Sequence, residues 1–294
     1  MRYTLRQLEV FLAIAQAGNL TRAASELNMS QSAASSALKD LETQFDVLLF
    51  DRVGKRLQLS DRGKQLRPAA ERLMGMADDL EQSLLNNADA GPLNIGATLS
   101  IGNYLAVQMV AEYMSLHQDA PITLDVENTE HIAERVLNFE LDVGMIEGEF
   151  QHPHLDIKPW RSDELTVFCS PDHELANFET VTDKQLMAAS WILRENGSGT
   201  RQAFNRAMRG LLPEMNIALE LQHTEAIKRA VQENLGVGCL SLMTLEDEFQ
   251  SGRLVRIHTP ERDLHRRLYL ILHKQKYQST GIQAWTDLCQ KWSS

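Results

Sequence analysis

The sequence predicts a multidomain fold: an all-α head carrying a winged helix-turn-helix, a long linker helix, and an α/β body of two lobes. Three observations predict it. Residues 4–44 hold three short helical patterns separated by turn residues. Residues 61–88 repeat apolar residues every seven positions. From residue 93 onward, short apolar strands alternate with helical segments.

The head is read first. TLRQLEVFLAIAQ (4–16) places Leu5, Leu8, Phe11, Leu12 and Ala15 at helical spacing, the expected core face. Gly18 ends that helix and Asn19 caps the next, over 20–27, with Leu20, Ala23, Ala24 and Leu27 inward. Asn28-Met29 is a tight turn. Ser30 caps a third helix, about 31–44, with Ala34, Leu38, Leu41 and Phe45 inward. The small residues Ala23, Ala24 and Ala34 let two helices cross closely. The outward face then offers Gln31, Ser32, Ser35, Ser36 and Lys39, short or amide side chains that suit base edges and phosphates in a major groove. Thr21 and Arg22, at the start of the second helix, join them as candidate DNA contacts. The plainer alternative is a helical hairpin with a polar solvent face. LLFDRVGKRLQLSDRG (48–63) favours the winged form. It reads as a two-stranded ribbon with Gly54 at its tip and Arg52, Lys55 and Arg56 placed to lie along a phosphate backbone.

Charge is uneven. The whole chain carries −11, but residues 1–65 hold nine Lys/Arg against seven Asp/Glu, a net of +2, so the remainder carries −13. A basic head on an acidic body can approach phosphates while the body stays solvated.

In the linker helix, Leu66, Leu73 and Leu80 are seven apart, and Ala70, Ala77 and Leu84 fall between them. Together they form an a/d seam suited to pairing between subunits. Pro68 loses a helical hydrogen bond, so a bend or a helix start is expected there. ADAGPLN (88–94) breaks the helix.

The body begins with strand 93–98, helix 100–117, strand 122–128, helix 131–139 and strand 141–148. This order predicts a mainly parallel sheet with helices on both faces. A second α/β lobe opens at 164–171. It continues through strand 190–196, a helix from 200, strand 217–223, a helix from 224 and strand 236–242. A strand at 267–274 and a last helix from 280 close the chain. Ligands in such folds bind at carboxyl ends of strands beside helix N-termini. Thr98 and Ser100, Glu147, Ser198 and Thr200 of GSGT, and Thr224 all fall there and are the candidate effector contacts, with Arg194 or Arg201 as candidate cations. Each taken singly also reads as a helix cap. GSGTR lacks the Lys and spacing of a P-loop, which excludes nucleotide binding on that motif.

The stretch FLAIAQAGNLTRAASELNMSQSAAS, with LE at 41–42 and LFDR at 49–52, resembles the N-terminal domain of LysR-type transcriptional regulators, and the layout that follows resembles the rest of that family. The resemblance implies DNA contacts at Gln31, Ser32, Ser35, Ser36 and Arg52, although the family often has Pro where this chain has Ser32. It implies three parts: residues 1–60, DNA-binding; 61–89, a dimerising linker helix; 90–294, a two-lobed, periplasmic-binding-protein-like effector domain. Lobe I takes about 90–162 and 267–294, and lobe II about 163–266, with crossings near 160–163 and 263–267. It further implies double-stranded promoter DNA as partner, dimers assembling into a tetramer that bends DNA, and RNA polymerase as a candidate contact. WILRENGSGTR, SIGNYL and GMIEG resemble the YeiE-like branch, close to regulators of sulfur and cysteine metabolism. That implies a small sulfur oxyanion such as sulfite as effector, an organic acid being the alternative. Sulfate-binding hydroxyls of the cysteine regulator fall at positions matching Thr98, Ser100, Glu147 and Ser198. Glu147 departs from that pattern, because a carboxylate repels an anion unless it is protonated or paired with Arg; a raised Glu147 pKa is one expectation.

Two rival classes are weaker. An enzyme lacks support: no HExxH or GxSxG occurs, the His152-Pro153-His154 pair reads as an exposed loop, and no cofactor or metal site is indicated. A solute-binding protein would suit the body alone, but the amphipathic N-terminus is no signal peptide and the head would have no role. Cys169, Cys239 and Cys289 form no CxxC motif and are expected to be reduced and buried in a cytoplasmic protein. No apolar run approaches a membrane span.

Overall fold

The computed structural model describes residues 2–54, 56–84 and 90–293. Lys55 and the end of the linker at 85–89 lie outside the described residues.

The head follows its local signals closely. Thr4 caps α1 (Leu5–Ala17) through a reciprocal pair with Gln7, and Gly18 closes it at φ 61°. Asn19 accepts from the Thr21 and Arg22 amides to start α2 (Leu20–Glu26). Asn28 turns the chain at φ 53°, and Ser30 caps α3 (Gln31–Phe45). The buried faces are rotated from expectation. Val10, Phe11 and Ile14 fill the core of α1, whereas Leu5 is 45% exposed; Phe45 of α3 is 44% exposed, with its ring 6.2 Å from that of Tyr3. Both sit at helix ends, where the bundle does not reach. The wing, β1 (Phe50–Val53) paired with β2 (Arg56–Leu59), turns through Gly54 at φ 63°. It is pinned to the head by the Leu57 amide on the Gly18 carbonyl.

Helix α4 runs unbroken over Asp61–Leu84 with Pro68 inside it. The helix start is therefore not at Pro68. It is set by Ser60, whose hydroxyl accepts from the Gly63 amide and donates to the Leu48 carbonyl.

The body is one mixed nine-stranded sheet, ordered β4-β3-β5-β11-β6-β9-β7-β8 with β10 (Val255–Ile257) beside β6. Lobe I contributes β3 (Leu93–Thr98), β4 (Ile122–Glu127) and β5 (Val143–Glu147), mutually parallel. Lobe II contributes β7 (Ser190–Arg194), β8 (Asn216–Leu221) and β9 (Val237–Ser241), also parallel. Sequence periodicity misses that the two halves are joined by antiparallel strands, β6 (Leu155–Cys169) and β11 (His265–His273). Strand β6 pairs with β11 as far as Glu164 and with β9 from Leu165, so it passes from one lobe to the other without a loop.

Both faces of each half are covered. In lobe I, α5 (Leu99–Ile101), a π-helical turn at Gly102–Ala106 and α6 (Val107–Leu116) form one continuous helix. With α12 (Thr280–Lys291) it buries Met109, Tyr113 and Trp285 on one face, while α7 (Thr129–Leu137) buries Ile132 and Val136 on the other. Burying Trp285 contributes about 3–5 kcal/mol by the usual cost of truncating such a residue to Ala. In lobe II, α8 (Asp183–Ala188) and α9 (Gly199–Ala207) cover one face around Trp191 and Phe204, and α10 (Thr224–Gln232) with α11 (Glu246–Gln250) the other. Cys169, Cys239 and Cys289 are all buried free thiols.

Candidate functional site

The recognition face is exposed as expected. Gln31, Ser32, Ser36 and Lys39 stand on the open side of α3, and Ser35 is half-buried near its middle. Behind it, Ala34 and Leu38 are buried against α2 through Ala23 and Ala24. Arg52 and Arg56 are exposed on the wing. Thr21, Arg22 and Arg56 line one open groove between the start of α2 and the wing, with Gly18 and Asn19. A phosphate strand there would meet two guanidiniums.

The second site lies where the lobes meet. Thr98 ends β3, Ser100 lies in α5 just after it, and Glu147 ends β5. From lobe II, Thr200 sits in the first turn of α9. All four are at most 2% exposed. Thr200 donates to the Glu147 carboxylate at 3.0 Å and Ser100 at 3.4 Å. The Thr98 hydroxyl faces the same carboxylate outside ordinary hydrogen-bond geometry.

The centre of the cluster is Arg266 of β11, which reasoning from the sequence missed. It pairs with Glu147, donates to Asp163 at 2.6 Å and to the Thr200 hydroxyl at 3.0 Å, and is almost fully buried. Ser241 donates to the other Asp163 oxygen at 2.8 Å. A signal was available. Period-two alternation puts Arg266 on the face of Leu268, Leu270 and Leu272, all buried, so a charge there needed a buried partner. Burial by itself would raise the Glu147 pKa; the charges of Arg266 and Arg194 outweigh it and hold the carboxyl below its usual range. The expectation of a raised pKa is thus corrected: Glu147 is a paired carboxylate.

Candidate cations are similarly engaged. Arg194 donates twice to Glu195, and Arg201 to Glu220 and the Arg194 carbonyl. Ser198 caps α9 and lines a neighbouring cavity with Thr129 and Gln202 rather than bonding to Glu147. Three buried polar groups have no hydrogen-bond partner among the described residues of these meeting edges: Thr98 Oγ1, Thr224 Oγ1 and Arg266 Nη2. Next to Thr98 and Thr224, whose neighbours Leu99 and His223 line it, a cavity of about 390 Å³ opens between the lobes, with Asn103, Asn128 and His131 on one side and Glu195 and Gln222 on the other.

The winged head matches the family model described as bacterial regulatory helix-turn-helix protein, lysR family, over residues 5–64, and the two-lobed body matches the LysR substrate binding domain over 86–294. The chain belongs to the LysR family. It is a LysR-type DNA-binding transcriptional regulator with an effector-binding domain, and its relatives are regulators rather than enzymes. Among them, the uncharacterized HTH-type transcriptional regulator YeiE of Escherichia coli K12 is 43% identical over 289 residues, covering 98% of each chain. Full-length OxyR of Pseudomonas aeruginosa, in a cysteine-to-aspartate variant, superposes with a TM-score of 0.75 at 21% identity, over 99% of this chain and 95% of that one. The Synechocystis CcmR regulatory domain, solved with 2-PG, aligns at 26% identity and TM-score 0.64, over 69% of this chain and 98% of its own. No helix among the described residues is long and apolar enough to cross a membrane.

Proposed function

We propose that this LysR regulator is a cytoplasmic sensor of a small oxyanion, sulfite first, that reports to promoter DNA. The observation that carries the reading is the set of buried donors without partners, Thr98, Thr224 and Arg266, at the meeting of the lobes. A sulfur oxyanion brings acceptors to unsatisfied donors, which otherwise cost about 1–3 kcal/mol each. Arg266, shared between Glu147 and Asp163, offsets part of the Glu147 charge, so such a ligand is held by the unpaired Arg266 nitrogen and the two hydroxyls and not against the carboxylate. The effector shifts the regulator only as far as its affinity differs between states.

Titration calorimetry on the full chain with sulfite, sulfate, thiosulfate, O-acetylserine and aromatic acids tests this. Saturable binding of a sulfur oxyanion, lost in Thr98→Ala and Thr224→Val, is expected. Binding only to an organic acid would keep the regulator and discard the sulfur assignment. That second reading is favoured by the 390 Å³ cavity, which is roomier than an inorganic anion needs, and by the 2-PG bound to the CcmR domain. Ser198→Ala should weaken the effector response while leaving DNA binding intact, since Ser198 starts the helix that carries Thr200. A full response would leave α9 out of the site.

For DNA, Gln31, Ser32, Ser35, Ser36 and Lys39 read the groove, and Thr21, Arg22, Arg52, Lys55 and Arg56 hold the backbone. Arg52→Ala should weaken operator binding and reduce the salt slope by about 1, as loss of one phosphate contact does. Ser35→Ala should weaken binding without changing that slope. Unchanged footprints in both variants would remove these assignments.

The chain acts as a dimer, and two dimers as a tetramer. On α4, Leu80 is 61% exposed and Leu84 75%, with Leu73 and Ala77 half-buried, an apolar stripe suited to a second copy. Leu66 and Ala70, at the start of the same seam, pack partly on the chain's own head. Contact with RNA polymerase at the promoter completes the proposed partners.

A further inference from the structure

Helix α4 has a second face. Arg67, Glu71, Gly75 and Asp79 are four residues apart and form one row. That row lies on the chain's own lobe I. Arg67, 8% exposed, donates to the Asn138 carbonyl and lies 5.6 Å over the Phe139 ring while bonding Glu71 at 3.4 Å. Gly75 packs so closely on Tyr277 that a Cβ would come within 2.9 Å of the ring. Asp79 accepts from Thr280 at 3.4 Å. Around the same Phe139 ring stand His273 at 4.1 Å and Lys276 at 5.8 Å, with Lys276 anchored on Asp142 at 2.7 Å. Phe139 holds φ 58°, a left-handed conformation that is rare for a bulky residue. Such strain persists only where the surroundings impose it, and it gathers at switch regions.

Asn138 and Phe139 follow the last residue of α7, and the other end of α7 is in the cleft. Thr129, its first residue, donates to the Glu147 carbonyl at 2.9 Å and accepts from the Gly199 amide of lobe II at 3.2 Å. One nine-residue helix thus touches lobe II at its start and the linker helix just beyond its end. Its length is about 13 Å at the usual rise per residue, and its interior turns are held by Ile132 and Val136 in the core.

We propose that α7 is the lever by which lobe movement at the cleft reaches the DNA-binding head, with Arg67 on Asn138 and Phe139 as its output contact. Displacement of lobe II pulls on Thr129, shifts the Asn138–Phe139 corner and loosens the grip on α4. The linkage is reciprocal, so freeing Arg67 also biases the cleft. The effector arm of the test rests on the function proposed above; the first arm does not.

Hydrogen exchange on the full-length protein decides it. Thr129→Val removes both bonds of the Thr129 hydroxyl with little change of volume and leaves the Glu130 amide on the Gly197 carbonyl, at 3.3 Å, to tie the start of α7 to lobe II. Amides of residues 64–79 should then exchange at least about threefold faster, while those of α1 keep their protection. Arg67→Gln should speed the same α4 amides directly. Wild-type protection of 64–79 in Thr129→Val overturns the lever, as does loosening that spreads equally through α1. In the second arm sulfite is added. If calorimetry shows that it binds, the change that saturating sulfite produces in the DNA footprint should shrink in Arg67→Gln, and a full footprint response in that variant overturns the lever. If sulfite does not bind, the effector assignment falls and the Thr129→Val exchange decides the lever alone.

Discussion

Arg266→Leu is expected to be the most damaging single substitution in the effector domain. It leaves Glu147, 1% exposed, and Asp163, 4% exposed at its side chain, without their shared cation. Breaking a buried pair from one side costs about 3–5 kcal/mol, because the remaining charges stay desolvated. Urea unfolding followed by circular dichroism measures it. The pH dependence identifies the cause. In the wild type, Glu147 is held below its unfolded value near 4.5. Its contribution is therefore present above that pH and lost as pH falls through the lower folded value. With Arg266 gone, burial is opposed chiefly by Arg194, and the folded pKa rises. The variant should then gain stability on acidification from pH 7, the opposite sign from wild type. A parallel pH profile for the two proteins would mean that Arg266 does not govern Glu147.

Gly199→Ala should have the second largest effect, and it should be functional as well as structural. A Cβ there would collide with the Glu147 carbonyl oxygen and lie 2.8 Å from the Thr129 hydroxyl oxygen. Neither is the free end of a flexible chain, so α9 has to move away from β5. Overpacking of this kind costs about 1–3 kcal/mol. The movement separates the lobes at the point where Thr200 reaches Glu147. Small-angle scattering should show a more open effector domain, and effector affinity should fall by about tenfold for each 1.4 kcal/mol of closure lost. An unchanged scattering profile and isotherm would show that the approach of α9 to β5 is irrelevant to the closed state.

The head was legible because its signals are local. Asn19 and Ser30 cap helices within three residues of themselves, Gly18 and Gly54 supply left-handed turns, and Ala23, Ala24 and Ala34 mark a close crossing. Most strands of the body were legible for the same reason, though not β10 or the first part of β6, and their carboxyl ends pointed to Thr98, Ser100, Glu147 and Thr200. Exposure of Leu5 and Phe45 was not, since helical spacing gives a face but not where the packing stops.

By itself, then, the amino-acid order determined the helix-turn-helix, the wing, the long linker and the alternating elements of an effector domain, all of which depend on neighbours a few positions apart. Tertiary structure alone decided which charges meet. Arg266 and Asp163 are 103 residues apart in the chain, and Arg67 and Asn138 are 71. Their meeting depends on the register of β11 between β5 and β6 and on which face of α4 rests against lobe I. Helical periodicity could show the apolar seam of that helix because water selects it residue by residue. It could not show the polar row beside it, whose partners are set only when the sheet has formed.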